Sequence, residues 1–238
     1  MHVAPTLFVM VLALASAGCH DRNLAPEASH REAPSMTLSD DLERELRAVR
    51  ADPIDAVGLG DTGYLPYVLR RGEPLTHGAE PAVTARLASA IADRSAPLTE
   101  RLALLQVLGL RGDPSVDGAL IDALADPALR PLAAYLLGRA GFKGYPRRAR
   151  STRAALAGLA AQLDDGGEFH DPWHDQSLHT QDLVVAAFVR IAGPERFDLS
   201  ALDRPRAEMI GYELAELDPA SRSSLVAQCK AVDVATYH

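Results

Sequence analysis

Residues 119–141 read ALIDALADPALRPLAAYLLGRAG, two short apolar-periodic segments joined by Asp126-Pro127. In the first, Ala119, Leu120, Ala123 and Leu124 recur at helical intervals, and in the second Leu129, Leu132, Ala133, Leu136 and Leu137 do the same. Such spacing gathers the apolar side chains into one stripe of an α-helix, and each stripe needs a neighbour to cover it. An Asp carboxylate accepts the orphan amides of a helix start, and Pro, which lacks a donor, loses nothing in the first turn. Asp-Pro recurs at 52-53, 113-114, 171-172 and 218-219, so it reads as a repeated helix-start device. Gly141 suits a helix stop, and Gly112 reads as a similar stop for a helix carrying Leu102, Leu105 and Leu108.

Laying Leu108-Gly109 over Leu137-Gly138 gives a shift of 29 residues, a period that signals stacked helical pairs. The unit 119–141 resembles the short HEAT-like repeat of the phycobilisome-lyase type. The matching residues are Leu120-Ile121 and Ala123-Leu124 on the first helix, Arg130 and Ala133-Ala134 on the second, then Leu137-Gly138-Arg139. The resemblance implies an all-α fold, an α-solenoid of stacked HEAT-like helical pairs. The clearest repeats span 99–163, with 151–163 as a partner helix and 181–193 as a degenerate copy. The repeat is built of core-forming residues, so the likeness implies architecture and not lyase activity. Composition agrees, because Ala and Leu dominate, aromatics make up 5% and β-branched runs are scarce. A first helix is expected from about Thr37, with Leu42, Leu46 and Val49 on its apolar face, to about Arg50.

Residues 7–17 form an apolar run too short to span a bilayer, ending in Ser16-Ala17-Gly18-Cys19. This resembles a bacterial lipobox and implies that 1–18 are a cleaved signal peptide and that Cys19 is lipidated. Residues 19–36, rich in Pro, Ala, Ser and charge, then read as a flexible tether to a helical-repeat domain over 37–238. His20 stands where an Asp commonly retains lipoproteins at the inner membrane, which favours the outer membrane. A lipidated Cys19 leaves Cys229 without a partner, and its spacing with Leu225, Val226 and Val232 reads as a buried, inert thiol. The net charge of -8 argues against nucleic-acid binding.

The stretch DDGGEFHDPWHDQSLHTQD, residues 164–182, interrupts the repeats and concentrates three of the eight histidines. His170, His174 and His179 with Asp175 are candidate ligands for a divalent ion, with Asp171 and Asp182 nearby. The bland reading is a polar insertion in which Asp171 caps a helix at Pro172 and Thr180 or Asp182 starts the next one. Phe169 and Trp173 either pin this loop to the helices or form a partner-binding patch. Both His-Asp pairs lie in one loop, and the earlier helical candidate is His77, unlike the separated ligands of HD-type phosphohydrolases. Gly58, Gly60 and Gly63 spell a dinucleotide fingerprint, but no strand precedes them and Pro66 interrupts the helix that should follow. A basic block, Arg139, Lys143, Arg147, Arg148, Arg150 and Arg153, offers a surface to an anionic partner, with Arg147, Arg148 and Arg150 as candidate contacts, or solvates a loop.

No catalytic residue and no cofactor is assigned. The sequence therefore predicts a lipid-anchored periplasmic binding module that presents its helical surface to a protein partner, as an envelope scaffold or an immunity-type inhibitor, and that meets the membrane through its lipid. The competing expectation is a metal-dependent hydrolase using the 164–182 insertion.

Overall fold

In the computed structural model, the described residues are 38–53, 80–141, 152–171, 176–202, 214 and 217–238. The first helix, α1 (Leu38–Ala51), buries Leu46 and Val49 completely and Leu42 in part, the face its spacing predicts. Three pairs in contact follow: α2 (Pro81–Ala92) with α3 (Leu98–Gly109), α4 (Val116–Ala123) with α5 (Arg130–Arg139), and α6 (Thr152–Ala160) with α7 (Thr180–Ala192). A last helix, α8 (Pro219–Ala231), precedes a 3-10 turn at Val234–Thr236. The described part of the chain is thus mainly helical.

Helices pack within the pairs α2–α3, α4–α5 and α6–α7, and α7 also packs on α8. Helices α1, α3, α5 and α7 touch in succession, and α2, α4 and α6 do likewise, giving two rows. The rows differ in character. Helices α5 and α7 have no fully exposed residue, and α3 exposes only Leu98 and Thr99, whereas α2, α4 and α6 each keep a solvent face. A helix apolar on all sides must be enclosed, and α3 reads LTERLALLQVLG with Leu102 to Leu108 buried throughout.

Residues repeated at the 29-residue shift do equivalent work. A Cβ placed on Gly109 would fall 2.6 Å from Leu136 of α5, and one on Gly138 would fall 2.9 Å from the Ala187 Cα of α7. The inner row approaches closely at these seams, and glycine is the residue that admits it. The second recurring device lies in the turns. Asp93, Asp126 and Asp165 accept the amides of Ser95, Ala128 and Gly167 at 2.9, 3.0 and 2.9 Å, fixing the turn within each pair. From the inner row, Arg101, Arg130 and Gln181 donate to the carbonyls of Ile91, Leu124 and Leu163 at 2.7, 2.8 and 2.6 Å. Arg101 also reaches Asp126 of the next pair at 2.6 Å, and Arg130 reaches Asp165 of the pair after it. Each arginine thereby ties its own turn to the following one, at a spacing of 29 residues between Arg101 and Arg130.

Two expectations are corrected. Gly112 does not stop α3, which ends at Gly109 with Leu110 as its C-cap, and Arg111 then turns inward, fully buried, to donate to Thr84 at 3.1 Å. Gly141 does take a left-handed conformation, φ +80°, beyond α5. The Asp-Pro device caps a helix at Asp218, whose carboxylate accepts from Ala220 and Ser221. Asp113 and Asp126 instead form turns two residues long, so that α4 and α5 begin at Val116 and Arg130. The proline ring permits either geometry, and the carboxylate takes the first amide within reach.

The His/Asp-rich stretch is also more ordered than a polar loop. It forms a hairpin, β1 (Glu168–Asp171) and β2 (Gln176–His179), paired antiparallel with Phe169 opposite Leu178. Asp171 therefore belongs to a strand, the residues after Pro172 that its carboxylate would cap lie outside the described residues, and α7 does start at Thr180. The hairpin occupies the turn between α6 and α7, and the Thr180 amide donates to the Gly167 carbonyl at 2.9 Å to close its base. At the far end, Tyr237 donates to the Ala192 carbonyl at 3.0 Å and the Thr152 amide to the His238 carbonyl at 3.1 Å, fastening the C-terminus across α6 and α7.

Candidate functional site

Strand alternation assigns the two faces of the hairpin. Phe169 is buried and Leu178 half-buried, so that face looks into the core. The opposite face carries Glu168, His170, Ser177 and His179, all exposed. Phe169 accordingly pins the hairpin to the helices, the first of its two readings. His170 and His179 share the solvent face but pair with Ser177 and Glu168, not with each other. Among the described residues no three His, Cys, Asp or Glu side chains gather into a metal-holding group. Trp173, His174 and Asp175 lie outside the described residues, as do Cys19, His77, Lys143, Arg147, Arg148, Arg150 and the glycines at 58, 60 and 63.

Asp182 is not a surface ligand. It sits in the first turn of α7, 2% exposed, with Arg222 of α8 at 3.2 Å. Burial pushes its carboxyl above the usual range, and the charges of Arg222 and His179 offset only part of that. Its Oδ2 has no hydrogen-bond partner, so this ion pair joins α7 to α8 at a cost in desolvation. Cys229 of α8 is buried with Leu225 and Val226, and burial lifts its thiol to about 12, the inert state its spacing predicts. In the basic block, Arg139 lies 4.9 Å over the Tyr135 ring and Arg153 is exposed. Burial, together with the Arg139 charge, lowers Arg190 of α7 to about 10.

A concave feature lined by described residues lies elsewhere, on the outer row where α2 meets α4. It is an open cavity of about 220 Å³. Its walls are unusually small: Ala88 and Ala92 on α2, Ala119 and Ala123 on α4, and Ala125 in the turn, over a floor of Ile91, Leu108 and Leu129. At the next joint of the same row, between α4 and α6, Ile121 and Leu124 pack to within 3.3 Å of where a Cβ on Gly158 would stand, and the gap is filled. Side-chain volume decides which joint stays open.

The rim of the cavity is charged. Arg101 and Asp126, the ladder pair, stand on one side with Arg94, and Asp122 stands on α4. Burial alone would raise the Asp126 carboxyl, but the hydrogen bonds from Arg101 and the Ala128 amide and the charges of Arg101 and Arg94 outweigh it, and it is held low. Asp126 is therefore an anion already engaged by Arg101 at 2.6 Å, while Arg94 stands off at 3.9 Å with 78% of its side chain exposed. One helical turn from Arg101 is Leu98, 46% exposed, the large hydrophobic side chain that the described surface leaves in water.

Sequence reasoning missed Arg94, Asp122 and this cavity. A signal existed in the run of alanines at 88, 92, 119, 123 and 125, but alanine spacing on a helix reads equally as tight packing. No helix of the described residues is long and apolar enough to cross a membrane. No protein-family model, curated protein or solved structure matches the chain.

Proposed function

We propose that the protein is a lipid-anchored periplasmic binding module, an α-solenoid of HEAT-like pairs that offers its outer row to a protein partner. The observation that carries this reading is the open, alanine-walled cavity at the α2–α4 joint, with the exposed Arg94 among its lining residues. Helices α5 and α7 have no fully exposed residue whereas α2 and α4 each keep a solvent face, which supports the outer row as the place for a partner. The regular tie of Arg101 and Arg130 to successive turns supports the repeat reading, because a stack in which each unit holds the next is what such arrays require. The anchor rests on Ser16-Ala17-Gly18-Cys19, with residues 19–36 as the tether and the outer membrane as the favoured site. The partner is an envelope protein for which the module serves as a scaffold or an immunity-type inhibitor.

Crosslinking in intact cells followed by purification tests both parts. The wild-type chain should recover a stoichiometric protein partner from the envelope, and Cys19→Ala should block lipidation and leave the precursor unprocessed. Recovery of no stoichiometric partner across growth conditions would reject the binding reading. Unchanged processing of Cys19→Ala would reject the anchor.

A further inference from the structure

The cavity at the α2–α4 joint combines features that specify an occupant. Its interior is formed by alanine methyls and the side chains of Ile91, Leu108 and Leu129, which present no unsatisfied polar atom to an entering group. A volume of about 220 Å³ takes one leucine- or phenylalanine-sized side chain. Outside the mouth the two charged rims are unequal. Asp126 is held by Arg101 at 2.6 Å, which leaves the Arg94 guanidinium, 3.9 Å from Asp126, as the exposed positive group on the α2–α3 side. Asp122 marks the α4 side with a negative charge.

We propose that this cavity is the anchor pocket for a segment of the protein partner in which a leucine-sized side chain enters between α2 and α4 and a neighbouring carboxylate meets Arg94. The proposal rests on the reading of the chain as a binding module and names the chemistry that its surface selects. Asp122 orients the segment, because a carboxylate turned toward α4 would face a like charge. Leu98, one helical turn before the lining residue Arg101 and 46% exposed, offers a further apolar contact to the segment. Burial of one leucine side chain with little else gives an isolated short peptide an affinity on the order of ten to a hundred millimolar. A solvent-exposed ion pair then adds about two- to fivefold.

Alanine-methyl 13C labelling of the full protein gives a direct readout, since five of the lining residues are alanines. Two capped peptides serve as probes, acetyl-Gly-Leu-Glu-Gly-amide and the same sequence with Lys in place of Glu. The Glu peptide should shift the methyls of Ala88, Ala92, Ala119 and Ala123 at roughly tens of millimolar, and the Lys peptide should need about two- to fivefold more. Arg94→Glu, at a side chain 78% exposed, should reverse that order of preference. Ala119→Met should abolish both responses by filling the space. No shift with either peptide, equal response to both, or an order of preference unchanged by Arg94→Glu would overturn the proposal. If the peptides fail but the envelope partner is still captured equally by wild type and Ala119→Met, the pocket assignment falls and the binding reading stands. Loss of the captured partner in Ala119→Met, with the fold retained by circular dichroism, supports both.

Discussion

Replacing Gly138 and Gly118 separately by alanine probes the inner-row seam with an internal control. Both glycines lie within helices, Gly138 in α5 and Gly118 in α4, so both variants gain helix propensity, up to about 1 kcal/mol each. Their surroundings differ completely. A Cβ on Gly118 meets nothing within 4 Å, and the residue is exposed. A Cβ on Gly138 would stand 2.9 Å from the Ala187 Cα, 3.1 Å from its Cβ and 3.7 Å from its amide nitrogen. Two of those three atoms are backbone, so relief requires α7 to move as a unit, and overpacking of that kind costs about 1–3 kcal/mol. Propensity largely cancels between the two variants, and the difference between them isolates the clash. Gly118→Ala should stabilise by about 0.5–1 kcal/mol, and Gly138→Ala should fall about 1–3 kcal/mol below it. Urea unfolding followed by circular dichroism reads this as a shift in midpoint at constant slope. In a thermal scan a gap of that size corresponds to roughly 2–12 °C for a domain of this length. Equal stabilisation by both substitutions would refute the close approach of α5 and α7. Gly109→Ala should lie between them, because the atoms it meets at 2.6–3.0 Å are the end of the Leu136 side chain, which can rotate.

Other consequences follow from the ladder, the buried carboxylate and the thiol. Arg101→Met removes the donor that satisfies the Ile91 carbonyl and leaves the Asp126 carboxylate without its closest cation, for an expected loss of about 2–4 kcal/mol. Gln181→Leu loses one neutral hydrogen bond to the Leu163 carbonyl and should cost only about 1–2 kcal/mol, and denaturant titration separates the two. Asp182 and Asp126 should show opposite pH signatures. Asp182 has a raised folded pKa, so its contribution is present below the unfolded carboxyl pKa and is lost as pH rises through the folded value, whereas Asp126, held low, contributes above the unfolded pKa and loses that contribution as pH falls through its folded one. Stability measured from pH 3 to 7 should therefore drop less with rising pH in Asp182→Asn and drop less with falling pH in Asp126→Asn; identical profiles for both variants and wild type would count against these environments. With its thiol raised to about 12 and buried, Cys229 should resist an aromatic disulfide reagent at pH 8 in the native protein and react at once in denaturant, and rapid native labelling would show that α8 is not docked as described.

How much was legible in advance can be followed residue by residue. The helices α1, α4, α5 and α7 lie where their apolar spacing places them, because a 3.6-residue period is a local property that survives any arrangement of neighbours. The shift of 29 residues likewise finds structural equivalents, with Gly109 and Gly138 at the seams and Arg101 and Arg130 in the ladder. Cap positions were less legible. Asp113-Pro114, Asp126-Pro127 and Asp218-Pro219 look alike as dipeptides, yet Asp218 alone of the three caps a helix, because the first amide within reach depends on how the chain leaves the preceding turn. The hairpin was hidden for a related reason. Its strands are four residues each and its inward face is Phe169 and Leu178, too short an alternation to distinguish from a polar loop.

The candidate site lay beyond sequence reasoning. Histidines and aspartates crowded into 164–182 draw attention because their chemistry is recognisable wherever they stand. The cavity is made of alanines, and their significance exists only once α2 and α4 are side by side. Local periodicity and repeat spacing by themselves determined that the chain builds helices and that successive pairs carry matching residues. Tertiary structure alone decided which row is enclosed, which joint stays open and which arginine keeps its charge exposed. The reason is that periodicity is encoded within a single element, whereas an unfilled volume and the exposure of a charge are differences between what two elements bring to the same place.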